Sequence, residues 1–381
     1  MVDCQKKISG IGCLSKLAHE LSNRNNLKNV LLVTGKRSFE TSGAKGQIDE
    51  ALGNYIVRHV NDFEVNPKCD DLIRIKKELG EFNPEVVLAI GGGSVLDMAK
   101  LLAATIFASE NTIQGIVRGE TKVSSEIPSI IAVPTSAGSG SEATHFAVCY
   151  IGSDKYSVAS QSLLPELILL DGALLKSGSQ YLKTCTALDA LAQSIESNWA
   201  VSATKESRGY SATAFKLALE NIAAFSCGDQ SDSVLQDMIE AANEAGKAIN
   251  ISKTTAAHAW SYGFTSKYGI PHGHAVWLTL PKVFEIHMNH AANRENVHEG
   301  AVSAMNEMIS AFQLAENITI SEGLKQFLKS LGVVTIFQGL GIHSRDELTS
   351  LSQMVNQQRM ENNPVQFSAQ EVEQIFDLSE T

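Results

Sequence analysis

Residues 86–94 read VVLAIGGGS, an apolar run that leads directly into three glycines and a serine. Such a run is typical of a strand buried on both faces of a parallel sheet, and residues 95–102 (VLDMAKLL) then favour a helix. Glycines let the backbone approach a ligand closely, and the free N–H groups of a helix start attract an anion. The stretch therefore predicts a pyrophosphate-binding turn. A plain tight turn is the alternative, because Leu96 stands where a GxGxxG pattern has its third glycine.

Two further apolar runs favour a parallel sheet in the first half of the chain. They lie at residues 29–34 (NVLLVT) and 129–133 (SIIAV), and segments with helical spacing occur between them at residues 72–79 and 98–108. Alternating buried strands and helices are the pattern of a doubly wound α/β sheet.

The second half of the chain has a different character. From about Lys183 onward the β-branched runs fade and residues that favour helices predominate, and Pro165 interrupts the pattern shortly before this change. The sequence predicts an α/β dinucleotide-binding domain with a parallel sheet over residues 1–175. An all-α domain is predicted over residues 176–381.

Charge and composition exclude several classes of protein. The chain of 381 residues carries 42 acidic and 31 basic residues, a formal net charge of -11, which repels nucleic acid and anionic membrane surfaces. No apolar run approaches the roughly 18 residues of a membrane span. The six cysteines form no CxxC pair, as is common for reduced thiols. We therefore expect a cytoplasmic protein with neither nucleic acid nor membrane as partner.

A second glycine and hydroxyl cluster follows another predicted strand. Residues 134–142 read PTSAGSGSE, directly after the run at 129–133. Ligands of open α/β sheets bind at the carboxyl ends of the strands, so both glycine-rich loops can face one nucleotide.

Four polar residues of the second half could bind a divalent metal ion. Asp189 and Gln193 are four residues apart in a mostly apolar stretch and would share one helix face, while His258 and His272 follow much later. One carboxylate, one amide oxygen and two imidazoles are acceptable ligands for Fe²⁺ or Zn²⁺. Spacing alone does not show that they converge, and each histidine could instead be a hydrogen-bonded structural residue.

Taken together, these segments resemble the iron-containing (group III) alcohol dehydrogenase family over most of the chain. The resemblance is carried by residues 91–100 (GGGSVLDMAK), 134–142, 187–192 (ALDALA), His258 and residues 271–273 (PHG). It implies a dehydroquinate synthase-like architecture with an N-terminal dinucleotide-binding domain, a helical C-terminal domain and a catalytic metal.

The resemblance implies that Asp189, Gln193, His258 and His272 are the metal ligands. The family usually has histidine where Gln193 stands, and an amide oxygen is a weaker donor to Fe²⁺ or Zn²⁺ than an imidazole. Tyr262 replaces a further histidine that relays protons in many members, and a phenol can also donate and accept a proton. Asp189, His258, His272 and Tyr262 are thus the candidate catalytic residues.

The resemblance also implies a nicotinamide cofactor, NADPH or NADH. Its candidate contacts are Gly35, Ser38, Asn66, Gly92, Gly93, Ser94, Asp97, Thr135, Ser136, Ser139 and Lys155. Members that prefer NAD often carry an aspartate where Gly35 stands, whereas here Lys36 and Arg37 follow it. The missing carboxylate and the two cations favour NADPH. Alternatively, both cations are solvated loop residues.

Within the family, residues 190–199, 207–210 and 270–276 look most like phosphonoacetaldehyde reductases, which form 2-hydroxyethylphosphonate. An anionic substrate needs cationic partners, and the candidates for its pocket are Phe146, Arg208, Lys253 and His274. Each of these residues also has a simpler explanation, which is core packing, a position at a helix start or a solvated surface position.

The prediction is a metal-dependent, NAD(P)H-linked alcohol dehydrogenase or aldehyde reductase with Fe²⁺ or Zn²⁺, expected to be a homodimer. Its substrate is a small aldehyde or alcohol, with phosphonoacetaldehyde or another small aldehyde as alternatives. Two rival functions stay open, a dehydroquinate synthase-like lyase or cyclase and a nucleotide-binding protein without catalysis.

Overall fold

The computed structural model describes residues 5–152, 154–293 and 298–378 of the chain. The chain divides into two compact units. The first comprises Met1–Gly178 and Gln230–Gly246, and the second comprises Ser179–Asp229 and Lys247–Thr381.

The first unit is built on a parallel sheet. Its strands are β1 (Lys6–Ser9), β2 (Asn29–Thr34), β3 (Ile56–Val60), β4 (Val86–Gly91), β5 (Ser129–Pro134), β6 (Phe146–Ile151), β7 (Asp154–Ala159) and β8 (Leu167–Leu170). Six of them form one sheet in the order β1-β8-β5-β4-β2-β3 with every pairing parallel, while β6 and β7 form an antiparallel hairpin. The predicted α/β fold with a parallel sheet is confirmed.

Helices pack against this sheet and close its core. They are α1 (Leu17–Ser22), α2 (Ser38–Thr41), α3 (Ala44–Leu52), α4 (Cys69–Leu79), α5 (Gly93–Thr105) and α6 (Glu110–Arg118). Strand residues such as Val30, Leu88 and Ile131 are fully buried in one apolar cluster with helix residues such as Leu21 and Ile48. The sheet is covered by apolar side chains, as its apolar strands predict.

The second unit is helical in its described residues. Its helices, including α9, which both units share, are α7 (Gln180–Trp199), α8 (Lys205–Ser226), α9 (Asp232–Ser252), α10 (Ala256–Tyr268), α11 (His272–Trp277), α12 (Leu280–Ala292), α13 (Glu299–Phe312), α14 (Ile320–Ser330), α15 (Arg345–Gln353), α16 (Gln357–Glu361) and α17 (Ala369–Ile375). Side-chain caps start several of them, among them the reciprocal pair of Thr204 and Ser207 at α8. No helix in the described part of the chain is long and apolar enough to cross a membrane.

The division into units differs from the predicted boundary at residues 175 and 176. The first unit extends to Gly178 and also takes in residues 230–246, which form most of α9. The reason is local packing: Leu235 and Ile239 are fully buried, and the Gln236 amide donates to the Leu170 carbonyl at the end of β8. A helical pattern in the sequence does not tell which unit a helix packs on.

Candidate metal and nucleotide sites

The glycine-rich turn after β4 brings the two predicted phosphate loops together. Gly92 caps α5 in an extended conformation. A β-carbon on Gly92 would lie 3.1 Å from the Ser136 hydroxyl oxygen, and one on Gly93 would lie 2.7 Å from that of Ser139. The absence of a β-carbon, above all at Gly93, lets the two loops approach closely, which supports the predicted cradle at the start of α5.

Other predicted nucleotide contacts lie at the same edge of the sheet. The Asn66 N–H donates to the Ser94 hydroxyl at 3.1 Å, and the Thr135 N–H donates to the Gly91 carbonyl at 3.0 Å. Gly35 directly follows β2, which pairs with β4. The carboxyl ends of β2, β4 and β5 are thus neighbours, as expected for the binding edge of an open α/β sheet.

The segment after β2 bears on the choice between NADPH and NADH. A β-carbon on Gly35 would run into the Ser38 hydroxyl and lie 3.6 Å from Val95. Lys36 forms an exposed ion pair with Asp62, which follows β3. The Lys36 ammonium therefore already has a carboxylate partner. The predicted preference for NADPH stays a prediction.

Asp97 and Lys100, both on α5, hold the second glycine loop and the hairpin in place. Asp97 accepts hydrogen bonds from the Ser141 hydroxyl at 2.6 Å and from the Val148 N–H at 3.0 Å. The Lys100 ammonium is fully buried and donates to the carbonyls of Thr144 at 2.8 Å and of Phe146 at 3.0 Å. Burial lowers the pKa of Lys100 to about 8, although Asp97 opposes this.

The structure therefore gives Asp97 and Phe146 clear structural contacts, while their predicted roles toward cofactor and substrate stay predictions. Lys155 lies on β7 opposite Tyr150 of β6, in the same hairpin. The role of Lys100 was missed, although a lysine three residues after Asp97 in an apolar helix is an unusual feature.

The second unit brings three of the four predicted metal ligands together. Asp189 lies on α7, His258 on α10, and His272 is the first residue of α11. The Asp189 Oδ1 atom lies 3.3 Å from His258 Nε2 and 4.0 Å from His272 Nε2. The ligand atoms of all three residues lie within 4.8 Å of one another. We call this group the Asp–His–His cluster.

A glycine sets the distance between α11 and α7. A β-carbon on Gly273 would lie 2.7 Å from the Asp189 nitrogen and 2.9 Å from the Asp189 β-carbon. Because glycine has no β-carbon, the start of α11 can rest directly on α7, which places His272 beside Asp189.

Gln193, the fourth predicted ligand, lies one helical turn after Asp189 and is buried. Its side chain hydrogen-bonds to the Asp189 carboxylate, so its amide N–H must be the donor. Gln193 thus supports Asp189, and its role as a metal ligand stays a prediction.

Glu196 is a residue of this site that the sequence analysis missed. It is fully buried, its Oε2 atom accepts from His258 Nδ1, and its Oε1 atom accepts from the Thr255 hydroxyl at 2.6 Å. This bond places the Nδ1 proton toward Glu196 and leaves Nε2 facing Asp189, an arrangement common around metal-binding histidines. The available signal was a glutamate seven residues after Asp189, on the same helix face.

The charges of the cluster favour a cation. Burial alone would raise the pKa of Asp189, but His272, His258 and Gln193 hold it below its usual range. Burial alone would lower the pKa of His258, yet Glu196 and Asp189 raise it to about 9. A positive charge is thus stabilised between Asp189 and His258 Nε2, where a divalent cation would replace the proton. The donor set fits Fe²⁺ or Zn²⁺.

Tyr262 lies on the more open side of the cluster. The His272 side chain is 36% exposed, against 5% for that of His258. The Tyr262 ring stacks on the His272 ring at 6.0 Å with an angle of 6°. A phenol beside the exposed ligand is suitably placed for the predicted proton relay, which stays a prediction.

Two other predicted substrate residues have structural partners. His274 Nδ1 pairs with the Tyr181 hydroxyl at 2.7 Å, and its Nε2 pairs with the Val334 carbonyl at 2.6 Å. Arg208 donates to the Asn198 carbonyl and lines a cavity of about 210 Å³. The residues lining that cavity include none of the Asp–His–His cluster. Their substrate roles stay predictions.

An α/β unit with a glycine-rich phosphate turn and a helical unit with an Asp–His–His cluster are features of nucleotide-dependent metalloenzymes. The family model for iron-containing alcohol dehydrogenases matches residues 4–172, and the model for the C-terminal part of the Fe-containing alcohol dehydrogenase family matches residues 183–379. The chain belongs to the iron-containing alcohol dehydrogenase family.

Two relatives are named as aldehyde reductases. The phosphonoacetaldehyde reductase of Streptomyces viridochromogenes is 31% identical over 243 residues, which cover 61% of this chain and 60% of that protein. The sulfoacetaldehyde reductase of Bilophila wadsworthia is 23% identical over 357 residues, covering 90% of this chain and 88% of that protein. These relatives are oxidoreductases, the enzyme class predicted for this chain.

A solved structure supports the fold. The structure of the sulfoacetaldehyde reductase from Bifidobacterium kashiwanohense, in complex with NAD⁺, aligns with this chain at a TM-score of 0.88 and 23% identity. The alignment covers 99% of this chain and 98% of that chain. The predicted architecture is confirmed. The predicted nicotinamide cofactor, NADPH or NADH, and the predicted metal, Fe²⁺ or Zn²⁺, agree with membership of the iron-containing alcohol dehydrogenase family and with the Asp–His–His cluster.

Proposed function

We propose that this protein is a metal-dependent, NAD(P)H-linked reductase of small aldehydes. The observation that carries the proposal is the Asp–His–His cluster, with Asp189 and His258 paired at 3.3 Å and backed by the buried Glu196. Family membership supplies the reaction class, and the glycine turn of the first unit supplies a place for the cofactor phosphates.

Each residue of the site has a task in this reaction. Asp189, His258 and His272 would hold the cation, while Glu196 keeps His258 in the tautomer that presents Nε2. A bound Fe²⁺ or Zn²⁺ supplies Lewis-acid polarisation of the aldehyde carbonyl, and the reduced nicotinamide supplies the hydride.

Tyr262 is our candidate for the proton donor to the product alcohol. Its stacking on His272 supports this role, because the stacked ring lies next to the most exposed ligand of the cluster. Loss of the phenol should lower turnover and leave metal binding intact.

We further propose that the substrate is an anionic two-carbon aldehyde, with phosphonoacetaldehyde first and sulfoacetaldehyde second. The relatives named for these substrates support the choice. The product of the first would be 2-hydroxyethylphosphonate.

The experiment is a panel of small aldehydes, charged and uncharged, tested with both reduced cofactors after loading with Fe²⁺ or Zn²⁺. Oxidation of the cofactor is followed by absorbance. Asp189→Asn should reduce kcat by at least about a hundredfold, because it removes the only carboxylate of the cluster, while nucleotide binding measured by calorimetry persists. Asp346→Asn, at an exposed position in α15, is the matched control.

Three outcomes would contradict the proposal. Unchanged turnover in Asp189→Asn would refute the metal assignment. Conversion of a substrate without net cofactor oxidation would favour the lyase or cyclase alternative. Nucleotide binding without any turnover would favour the non-catalytic alternative.

Two expectations about the whole protein complete the proposal, a homodimer and a cytoplasmic location. Light scattering coupled to gel filtration tests the first, because a dimer would have twice the chain mass of 41.0 kDa. Fractionation of the source cells tests the second.

A further inference from the structure

Two cations of the second unit lie close together although they belong to different segments. Lys253 lies between α9 and α10, and Arg359 lies on α16. The Asn362 amide, three residues after Arg359, donates to the carbonyls of Ser252 at 2.8 Å and Thr254 at 3.0 Å. The segment that carries Arg359 is thus fixed to the backbone on both sides of Lys253.

Both cations are in an unusual environment. The Arg359 Nη1 atom is buried and has no hydrogen-bond partner among the described residues. Burial, together with the charge of Arg359, lowers the pKa of Lys253 to about 8. Two neighbouring, half-buried cations repel each other, and an anion bound between them would reduce this repulsion.

Lys253 also has a strained backbone. Its φ angle is 61°, in the left-handed region that side chains other than glycine rarely adopt. Strained backbone of this kind is found most often at functional sites.

Short links connect both cations to α10, the helix that carries His258. Lys253 precedes His258 by five residues, and Thr255 between them donates to Glu196, the partner of His258. The Asn356 N–H at the start of α16 donates to the Ala259 carbonyl at 3.3 Å. Lys253 and Arg359 are therefore both tied to the start of α10, the helix that carries His258.

We propose that Lys253 and Arg359 form the binding site for the tetrahedral oxyanion group of an anionic aldehyde whose carbonyl faces the Asp–His–His cluster. A guanidinium offers a planar pair of donors that fits a phosphonate or sulfonate, and an ammonium adds a point charge. In these substrates a single methylene separates the carbonyl carbon from the phosphorus or sulfur, so the anion site must lie close to the metal. This inference rests on the proposed function.

The test uses Arg359→Gln and Lys253→Gly in the full-length, metal-loaded enzyme. The glycine variant removes the ammonium and suits the left-handed backbone, so it should fold. Lys267→Met is the matched control, because Lys267 is exposed on α10 and bonds to Ser350. Steady-state kinetics with phosphonoacetaldehyde, sulfoacetaldehyde and uncharged propionaldehyde are combined with calorimetric titration of ethylphosphonate and ethanesulfonate.

We expect each variant to weaken ethylphosphonate binding and to lower kcat/KM for phosphonoacetaldehyde by at least about tenfold, mainly through KM. Propionaldehyde kinetics should change by less than about threefold. A larger loss with the phosphonate than with the sulfonate would identify the doubly charged group as the natural ligand.

Equal effects on charged and uncharged aldehydes, or wild-type affinity for both anions in folded variants, would overturn the anion site. The proposed function is judged separately, by whether the wild-type enzyme reduces any aldehyde of the panel.

Discussion

At the scale of single residues, the metal cluster depends on a carboxylate that need not touch the metal. Glu196 accepts a hydrogen bond from His258 Nδ1 and another, at 3.0 Å, from the Ala257 N–H at the start of α10. One buried side chain therefore orients both the imidazole and the helix that carries it. Groups of this kind usually influence metal affinity strongly.

We predict that Glu196→Gln lowers the affinity for Fe²⁺ or Zn²⁺ by about ten- to a hundredfold, since the amide can accept with only one of its two polar atoms. Chelator competition with metal analysis of the purified protein measures this. Glu371→Gln is the control, because Glu371 also pairs with a histidine, His290, at 2.7 Å. Glu371 lies on α17 and His290 on α12, whereas Glu196 lies on α7. Equal metal affinity in both variants would show that Glu196 is only structural.

At the scale of elements, the contact between α7 and α11 sets the geometry of the cluster. Gly273 lies against α7, and any side chain there meets the α7 backbone at Cys185 and Asp189. Backbone cannot move aside as a flexible side chain can, so added volume must shift α11.

We predict that Gly273→Ala destabilises the second unit by about 1–3 kcal/mol and weakens metal binding through His272. Gly209→Ala on α8 is the matched control, since a β-carbon there meets nothing within 4 Å. The control should be neutral or stabilise by up to about 1 kcal/mol. Thermal unfolding with and without metal measures both, and equal melting temperatures in the two variants would contradict the packing argument.

The sequence predicted the elements with strong, uninterrupted patterns and missed those without them. Strands β2, β4 and β5 match the three apolar runs, because they lie in the middle of the sheet. Strands β1 and β3 lie at its two edges and are largely exposed, so they carry no apolar run. Strand β8 is apolar but has only four residues, and so short an apolar run cannot be told from a helix segment by periodicity.

The same contrast holds for the site. Asp189, His258 and His272 were predicted through the family resemblance, and the structure brings them together. Glu196 and Arg359 were missed because their importance comes from partners distant along the chain, which spacing within one helix does not reveal.

At the scale of the whole molecule, buried histidines make stability depend on pH. His287 is fully buried, with Nε2 near the Asn363 amide at 3.0 Å and its ring against Trp199 and Phe367. Burial lowers its pKa to about 3, with the charges of Glu196, His290 and Glu371 as smaller influences. Burial also lowers the pKa of His274.

The unfolded chain binds protons at these histidines near pH 6.5, whereas the folded protein does not. The free energy of unfolding should therefore fall as pH drops below about 6.5, by about 1 kcal/mol per pH unit for each such histidine. We predict that melting temperatures measured from pH 7.5 to 5 fall more steeply in the wild type than in His287→Gln. His343→Gln, at an exposed position, serves as the control, and parallel curves for all three proteins would refute the assignment.

Helix α9 has a consequence for any attempt to dissect or recombine this enzyme. Its residues up to Gly246 belong to one unit and its last six residues to the other, and the chain reaches Lys253 immediately afterwards. A fragment cut after Gly178 would lose Leu235 and Ile239, which are fully buried in the intact protein. Chimeras between homologues that exchange simple halves would mismatch this helix, so crossover points must be chosen in pairs that transfer residues 230–246 together with the nucleotide-binding half.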